Sequence, residues 1–173
     1  MNFGEIKERD IANGIGVRVS LFVSGCTNKC KGCFNKQTWD FDFGELYTRE
    51  TEDRIIKLLE PDFVSGLTLL GGEPFEPKNQ EELLKLTKRV KKELPKKTIW
   101  CYTGFTLERL MNETDYCHTE FTSELLNNID VLVDGKFEED KKNIRLKFRG
   151  SENQRLIDMN KSRQSGGIVL LEL

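Results

Sequence analysis

Three cysteines crowd into eight positions, Cys26-Thr27-Asn28-Lys29-Cys30-Lys31-Gly32-Cys33, with the spacing C-x3-C-x2-C. Three thiolates in one short loop can wrap a compact inorganic core, and iron–sulfur clusters are held by cysteine thiolates in such runs. A four-iron cluster normally takes four cysteines. A loop offering three leaves one iron open to a substrate or cosubstrate, as a catalytic zinc keeps one position free. The same loop could hold zinc with Cys117 or His118 as fourth ligand, although zinc loops more often use two separated C-x2-C pairs. Three unliganded buried cysteines is a poorer reading, because Asn28, Lys29 and Lys31 make the loop polar. Cys101 lies inside a strand-like run and reads as core; Cys117 and the sole histidine, His118, sit in a polar stretch and carry no assigned role.

The loop must be presented by something rigid. Val17–Val23 reads as a strand, rich in β-branched and aromatic residues and closed by Ser24-Gly25. A helix is expected from about Thr51 to Glu60, stopped by Pro61, then a strand at Leu67–Leu70 ending in Gly71-Gly72. A second helix follows from about Asn79 to Leu94, with Asn79 and Glu82 spaced as a cap and Pro95 as its stop. Thr98–Tyr102 is the next strand, closed by Thr103-Gly104. Helical material between Thr106 and Asn128, broken near Asp115-Tyr116, leads to a strand at Val131–Val133, closed by Asp134-Gly135. Ile144–Phe148 and Ile168–Leu171 are candidate strands without a place.

Strand and helix alternating at this spacing implies βαβ units and a parallel sheet, and the polar, Gly-rich closures all fall at strand carboxyl ends, where such folds bind ligands. A complete eight-unit barrel needs about 250 residues. The chain has 173, which predicts an α/β fold of one domain, residues 1–173, built as an incomplete (β/α) barrel of about five or six units.

Composition narrows the partners. With 27 Lys and Arg against 29 Asp and Glu the net charge is −2, which argues against a nucleic-acid binder. The N-terminal residues show no secretory pattern, no apolar run approaches the length of a membrane span, and the cysteines are too few and too clustered for a disulfide scaffold. A reducing, cytoplasmic setting with no membrane partner is the expectation. Paired lysines such as Lys88-Arg89, Lys91-Lys92, Lys96-Lys97 and Lys141-Lys142 read as solvated faces.

The cysteine loop after one strand, with Gly71-Gly72-Glu73-Pro74 after the next, resembles the radical S-adenosylmethionine superfamily. More narrowly, the chain resembles the anaerobic ribonucleoside-triphosphate reductase-activating proteins. The likeness runs through Asn13–Arg18, Phe22–Cys26, Lys31–Asn35, Thr38-Trp39, Trp100–Phe105, Asp130–Lys136 and Arg149–Arg155, covering about residues 3 to 155.

The resemblance implies a radical S-adenosylmethionine type of barrel and a 4Fe–4S cluster on Cys26, Cys30 and Cys33. It implies that S-adenosylmethionine chelates the fourth iron and is cleaved reductively, and that the resulting 5′-deoxyadenosyl radical takes hydrogen from a glycine of the reductase. The expected partners are the large subunit of the anaerobic reductase and reduced flavodoxin or a similar electron donor. Gly71 and Gly72 would let backbone approach the cosubstrate, and Glu73 would accept from its ammonium. Gly32, Cys33 and Phe34 would line the adenine. Gly32 stands where many superfamily members carry an aromatic residue, a departure that the reductase-activating subfamily shares. Thr103, Asp134 and Lys136 would approach the ribose or carboxylate, with a solvated turn lysine as the alternative for Lys136. Arg149–Arg155 would grip the partner or close over the site, unless it is a surface ion-pair segment.

Two other classes compete. One is a different small radical enzyme, such as a deazapurine synthase or a pyruvate formate-lyase-type activase. The other is a non-catalytic module, either an iron–sulfur electron carrier or a zinc-stapled interaction domain. A carrier's cluster has four fixed ligands and ignores S-adenosylmethionine, which separates the classes.

Overall fold

A seven-stranded sheet with the order β3-β1-β2-β4-β5-β6-β7 organises the chain, and the computed structural model describes residues 1–173. The strands are β1 (Asn2–Asp10), β2 (Val17–Val23), β3 (Glu45–Leu46), β4 (Val64–Gly71), β5 (Thr98–Tyr102), β6 (Val131–Asp134) and β7 (Arg155–Asp158). The helices are α1 (Arg49–Leu59), α2 (Pro77–Glu93), α3 (Leu107–Met111), α4 (Thr122–Asn128) and α5 (Met159–Ser165). No helix is long and apolar enough to cross a membrane.

Strands β2, β4, β5 and β6 pair in parallel, while β1, β3 and β7 add antiparallel edges. The parallel part therefore stops at four strands, fewer than the five or six units expected from length. At one edge the connection 11–16 is too short for a crossover, so β1 and β2 form an antiparallel pair. At the other, residues 135–154 hold only a 3-10 turn at Glu139–Lys141 and no helix to cover a crossover, and β7 returns antiparallel to β6. Of the two unplaced candidate strands, Ile144–Phe148 forms none. Ile168–Leu171 contributes one isolated bridge, Leu170 to Ile157.

All five helices pack on the same face. Ile55, Leu83, Val90, Leu110, Leu125 and Met159 share one core with alternate strand residues Leu21, Leu67, Leu69, Ile99, Cys101, Leu132 and Ile157. The other residues of the same strands point away from the helices, and there Trp100, Val131, Val133 and Leu156 form a separate small cluster covered by Phe148 and Leu171. The same helix-free face carries Arg18, a residue only 1% exposed. It donates to Thr68 Oγ1, Leu67 O and Thr98 O at 2.7, 2.7 and 2.9 Å and lies over the Trp100 ring.

Local signals explain the helix ends. Thr48 and Thr51 form a capping box before α1. Pro77 opens α2 as its first helical residue, so Asn79 is not its cap. The Asn79 side chain instead donates to Ser24 O at 3.0 Å and Glu73 O at 2.9 Å, tying the end of β2 to the turn after β4.

Candidate functional site

The carboxyl ends of the parallel strands open onto one cavity of about 230 Å³, lined by Cys26, Cys30 and Cys33 together with Gly71, Gly72, Glu73 and Thr103. The cysteine loop leaves β2 through Gly25, whose φ of +93° and contact with the Phe41 ring exclude a side chain. Gly25 N–H donates to Thr38 O at 2.8 Å and Cys26 N–H to Trp39 O at 3.2 Å. Gly72 is small for a related reason. A Cβ there would meet Gly25 O, Thr38 O and Val23 O at 2.6, 2.9 and 3.0 Å, so the turn after β4 packs directly on the root of the loop.

Cys26 is buried, and Cys30 and Cys33 are half-buried. Burial, with the nearby Glu73 charge, pushes the Cys26 thiol up to about 12. Burial also raises Cys30, and Lys136 partly opposes that shift. A cationic inorganic core would reverse this penalty by stabilising thiolates. A cluster takes each cysteine on a different iron and so spreads its ligands further than the sulfur spacing of about 3.8 Å in tetrahedral zinc. Cys117 is fully buried in the apolar core and the His118 ring pairs with Leu110 O at 2.7 Å, so neither supports a zinc site. Cys101 is a core residue, as its strand position implies.

Glu73 is 1% exposed and its carboxylate is fully engaged. Oε1 accepts from Phe75 N–H at 2.9 Å and Thr103 Oγ1 at 2.7 Å, while Oε2 accepts from Gly104 N–H at 2.7 Å and Asn28 Nδ2 at 2.9 Å. A carboxylate offers about four acceptor sites, and four donors take them. Burial raises its pKa to about 7 against the pull of these donors, with the Glu76 charge adding to the rise. Glu73 thus ties β4, β5 and the cysteine loop together.

The remaining expected residues divide. Thr103 and Phe34 line the cavity, whereas Gly32, Asp134 and Lys136 do not. Phe34 is 70% exposed, tilted against Phe137 at 5.8 Å and covered by the Lys142 ammonium at 5.1 Å. Gly32, with φ of +73°, lies against Glu139 and Phe137. Asp134 is fully buried, and it accepts from Leu107 N–H at 2.8 Å and from Arg155 Nε at 2.9 Å. Lys136 is exposed at the neighbouring polar groove with Asn153 and Arg155.

Asn13, Tyr102, Gly150 and Gln154, which lie in segments that carry the family resemblance, also line the cavity, as does Phe137, which carried no signal in the sequence. Gln154 folds its segment over the end of β6, accepting from Gly150 N–H at 2.8 Å and donating to Gly135 O at 3.0 Å. The Tyr102 hydroxyl and the Trp39 indole N–H are buried polar donors without a partner in the protein, and both residues line the cavity. Such orphaned groups are rare. Here they suit a polar occupant of the cavity.

Residues 12–157 match a family model described as a 4Fe-4S single cluster domain. Over 156 residues the chain is 44% identical to the anaerobic ribonucleoside-triphosphate reductase-activating protein of Vibrio cholerae, an alignment covering 89% of this chain and 96% of that one. The protein of the same name from Escherichia coli strain K12 is 41% identical over 156 residues, with 89% and 96% covered. The one from Enterobacteria phage T4 is 40% identical over 156 residues, with 90% and 93% covered.

Proposed function

The chain belongs to the family of anaerobic ribonucleoside-triphosphate reductase-activating proteins, and from that premise we propose that it activates such a reductase as a radical S-adenosylmethionine enzyme. The observation that carries this reading is the meeting of the loop cysteines with the Gly71–Glu73 turn and Thr103 on one cavity at the strand carboxyl ends. Cys26, Cys30 and Cys33 would hold a 4Fe–4S cluster, whose chemistry, with one electron from a flavodoxin-like donor, would be reductive cleavage of the sulfonium C–S bond of S-adenosylmethionine to methionine and a 5′-deoxyadenosyl radical able to take hydrogen from a glycine of the reductase.

The chain's own residues then have definable tasks. Cys26, Cys30 and Cys33 hold the cluster. Gly71 and Gly72 bring backbone to the cosubstrate, and Tyr102 and Trp39 offer it donors. Phe34 and Phe137 shield the opening from water. Glu73 serves chiefly by fixing the geometry of the cavity wall, since its own oxygens are already engaged. Asp134 and Arg155 brace the end of β6 from behind. Residues 1–173 act as one unit in the cytoplasm, reduced by flavodoxin or a similar donor, with neither nucleic acid nor membrane as partner.

Helices confined to one face of the sheet support an open barrel of the radical enzyme type, because a doubly wound fold covers both faces. The cavity, open at the strand carboxyl ends, would leave the site reachable by a loop of another protein.

Electron paramagnetic resonance of anaerobically reconstituted, dithionite-reduced protein tests the reading. A four-iron signal that changes shape with S-adenosylmethionine is expected. A signal indifferent to it would make the chain an electron carrier, and stoichiometric zinc without iron would overturn the reading.

A further inference from the structure

Glu76 takes no part in the chemistry above, yet it is fully buried beside the cysteine loop. Its Oε1 accepts from both the backbone N–H and the hydroxyl of Thr27, each at 2.6 Å. Its Oε2 accepts from the Tyr116 hydroxyl. The Glu76 backbone is equally fixed: its N–H donates to Glu73 O at 3.1 Å and its carbonyl accepts from Asn79 N–H at 2.8 Å at the start of α2. A buried carboxylate is costly unless donors meet it. Here the donors come from two segments distant in sequence.

Thr27 directly follows Cys26. Holding its N–H fixes the peptide on the carboxyl side of Cys26, while the bond from Cys26 N–H to Trp39 O, 3.2 Å, fixes the amino side. Cys26 is thus bracketed on both sides. The other half of the loop has no buried carboxylate holding its backbone: its bonds are the Cys30–Cys33 turn bond of 3.2 Å, the long contact from Asn35 N–H to Cys33 Sγ at 3.4 Å, a bond from the Phe137 backbone to the Cys30 thiol and the exposed Lys31–Glu139 pair. Tyr116, itself 57% exposed, covers the Glu76 carboxylate from outside.

We propose that Glu76 is a positioning residue that holds Cys26 as the preformed corner of the cluster site, onto which Cys30 and Cys33 fold. This rests on the reading of Cys26 as a cluster ligand. Glu76→Ala removes the acceptor, Glu76→Gln keeps one carbonyl oxygen for Thr27, and Thr27→Val keeps the N–H but loses the hydroxyl.

The test uses the full chain, reconstituted anaerobically, and measures iron and sulfide content, the rate of iron loss to a chelator, and the reduced-state resonance line shape. Glu76→Ala is expected to lose iron about tenfold faster than wild type with an altered line shape, the effect of one or two lost hydrogen bonds. Glu76→Gln should restore both to near wild type, and Thr27→Val should fall between. Wild-type retention and line shape in Glu76→Ala would overturn the proposal, as would a Glu76→Gln variant as impaired as Glu76→Ala. If Glu76→Ala does not fold by circular dichroism, Thr27→Val decides, and its indifference would overturn the proposal. Absence of a four-iron signal in the wild-type chain would instead defeat the function reading, without reference to any variant.

Discussion

The Asn28 side-chain amide donates to the Glu73 carboxylate at 2.9 Å, joining the cysteine loop to the turn after β4 across 45 residues of sequence. With Phe75, Thr103 and Gly104 supplying the other donors, each Glu73 carboxylate oxygen accepts two hydrogen bonds. Glu73→Gln places an amide N–H₂ against those donors and should destabilise the apoprotein by about 1–3 kcal/mol. Asn28→Ala should cost less, and the two should couple by at least about 0.5 kcal/mol in a double-mutant cycle. Urea denaturation under reducing conditions measures both. A neutral Glu73→Gln would mean that the carboxylate is reserved for a ligand.

The three loop cysteines and the two remaining cysteines make a separable set. Single Ala substitution at Cys26, Cys30 or Cys33 should abolish cluster retention, read as iron and sulfide per chain. Ala at Cys101 or Cys117, both fully buried in the core, should cost some stability but keep the cluster. Loss of iron on replacing Cys101 or Cys117 would show the ligand assignment to be wrong.

The four parallel strands were legible because they are nearly continuous apolar runs buried on both faces. β1 was not: its burial follows no clean alternation, only Phe3, Ile6 and Asp10 are buried, and irregular register with β2 breaks the period. Asn79 shows a different failure. Its spacing to Glu82 matches a cap, but Pro77 sets the helix start and the amide is drawn into the loop–turn junction. That the cysteines and Gly71–Glu73 meet at the strand carboxyl ends was readable from type and spacing. Glu76 was not, because its importance lies in contacts with segments distant in sequence. A carboxylate in the turn just ahead of a proline-opened helix was the available hint at Glu76.

Asp134 and Arg155 close the sheet at β6 and β7, and Glu108 extends the pair outward. Asp134 is 1% exposed by side chain, so Arg155→Ala leaves its charge buried with only the Leu107 N–H as donor. The cost should be about 3 kcal/mol, at the low end for breaking a buried pair because Arg155 is partly exposed. The pH dependence follows from Glu108, which the Arg155 hydrogen bond holds at about 2. A depressed carboxyl stabilises the fold above its ordinary pKa, and that contribution is lost as pH falls from about 4.5 towards 2. Exposure of Glu108 keeps the contribution small. Acid unfolding of wild type should therefore show a component over this window that Arg155→Ala lacks.

Tyr102 offers a test in which stability and binding move apart. Its hydroxyl is buried without a partner in the protein, and burial holds the phenol neutral by raising its pKa above the ordinary range. Tyr102→Phe removes an unsatisfied polar atom while keeping the ring against the Trp100 cluster, so the apoprotein should be unchanged or more stable by about 1 kcal/mol. If the hydroxyl is there to donate to S-adenosylmethionine, the same substitution should weaken the cosubstrate. One net hydrogen bond of about 1 kcal/mol corresponds to about a five- to tenfold loss of affinity. Urea denaturation of the apoprotein gives the first number, and titration of the cosubstrate-induced change in the reduced cluster's resonance signal gives the second. A Tyr102→Phe protein that is less stable, with unaltered titration, would make the hydroxyl a structural group satisfied by bound water.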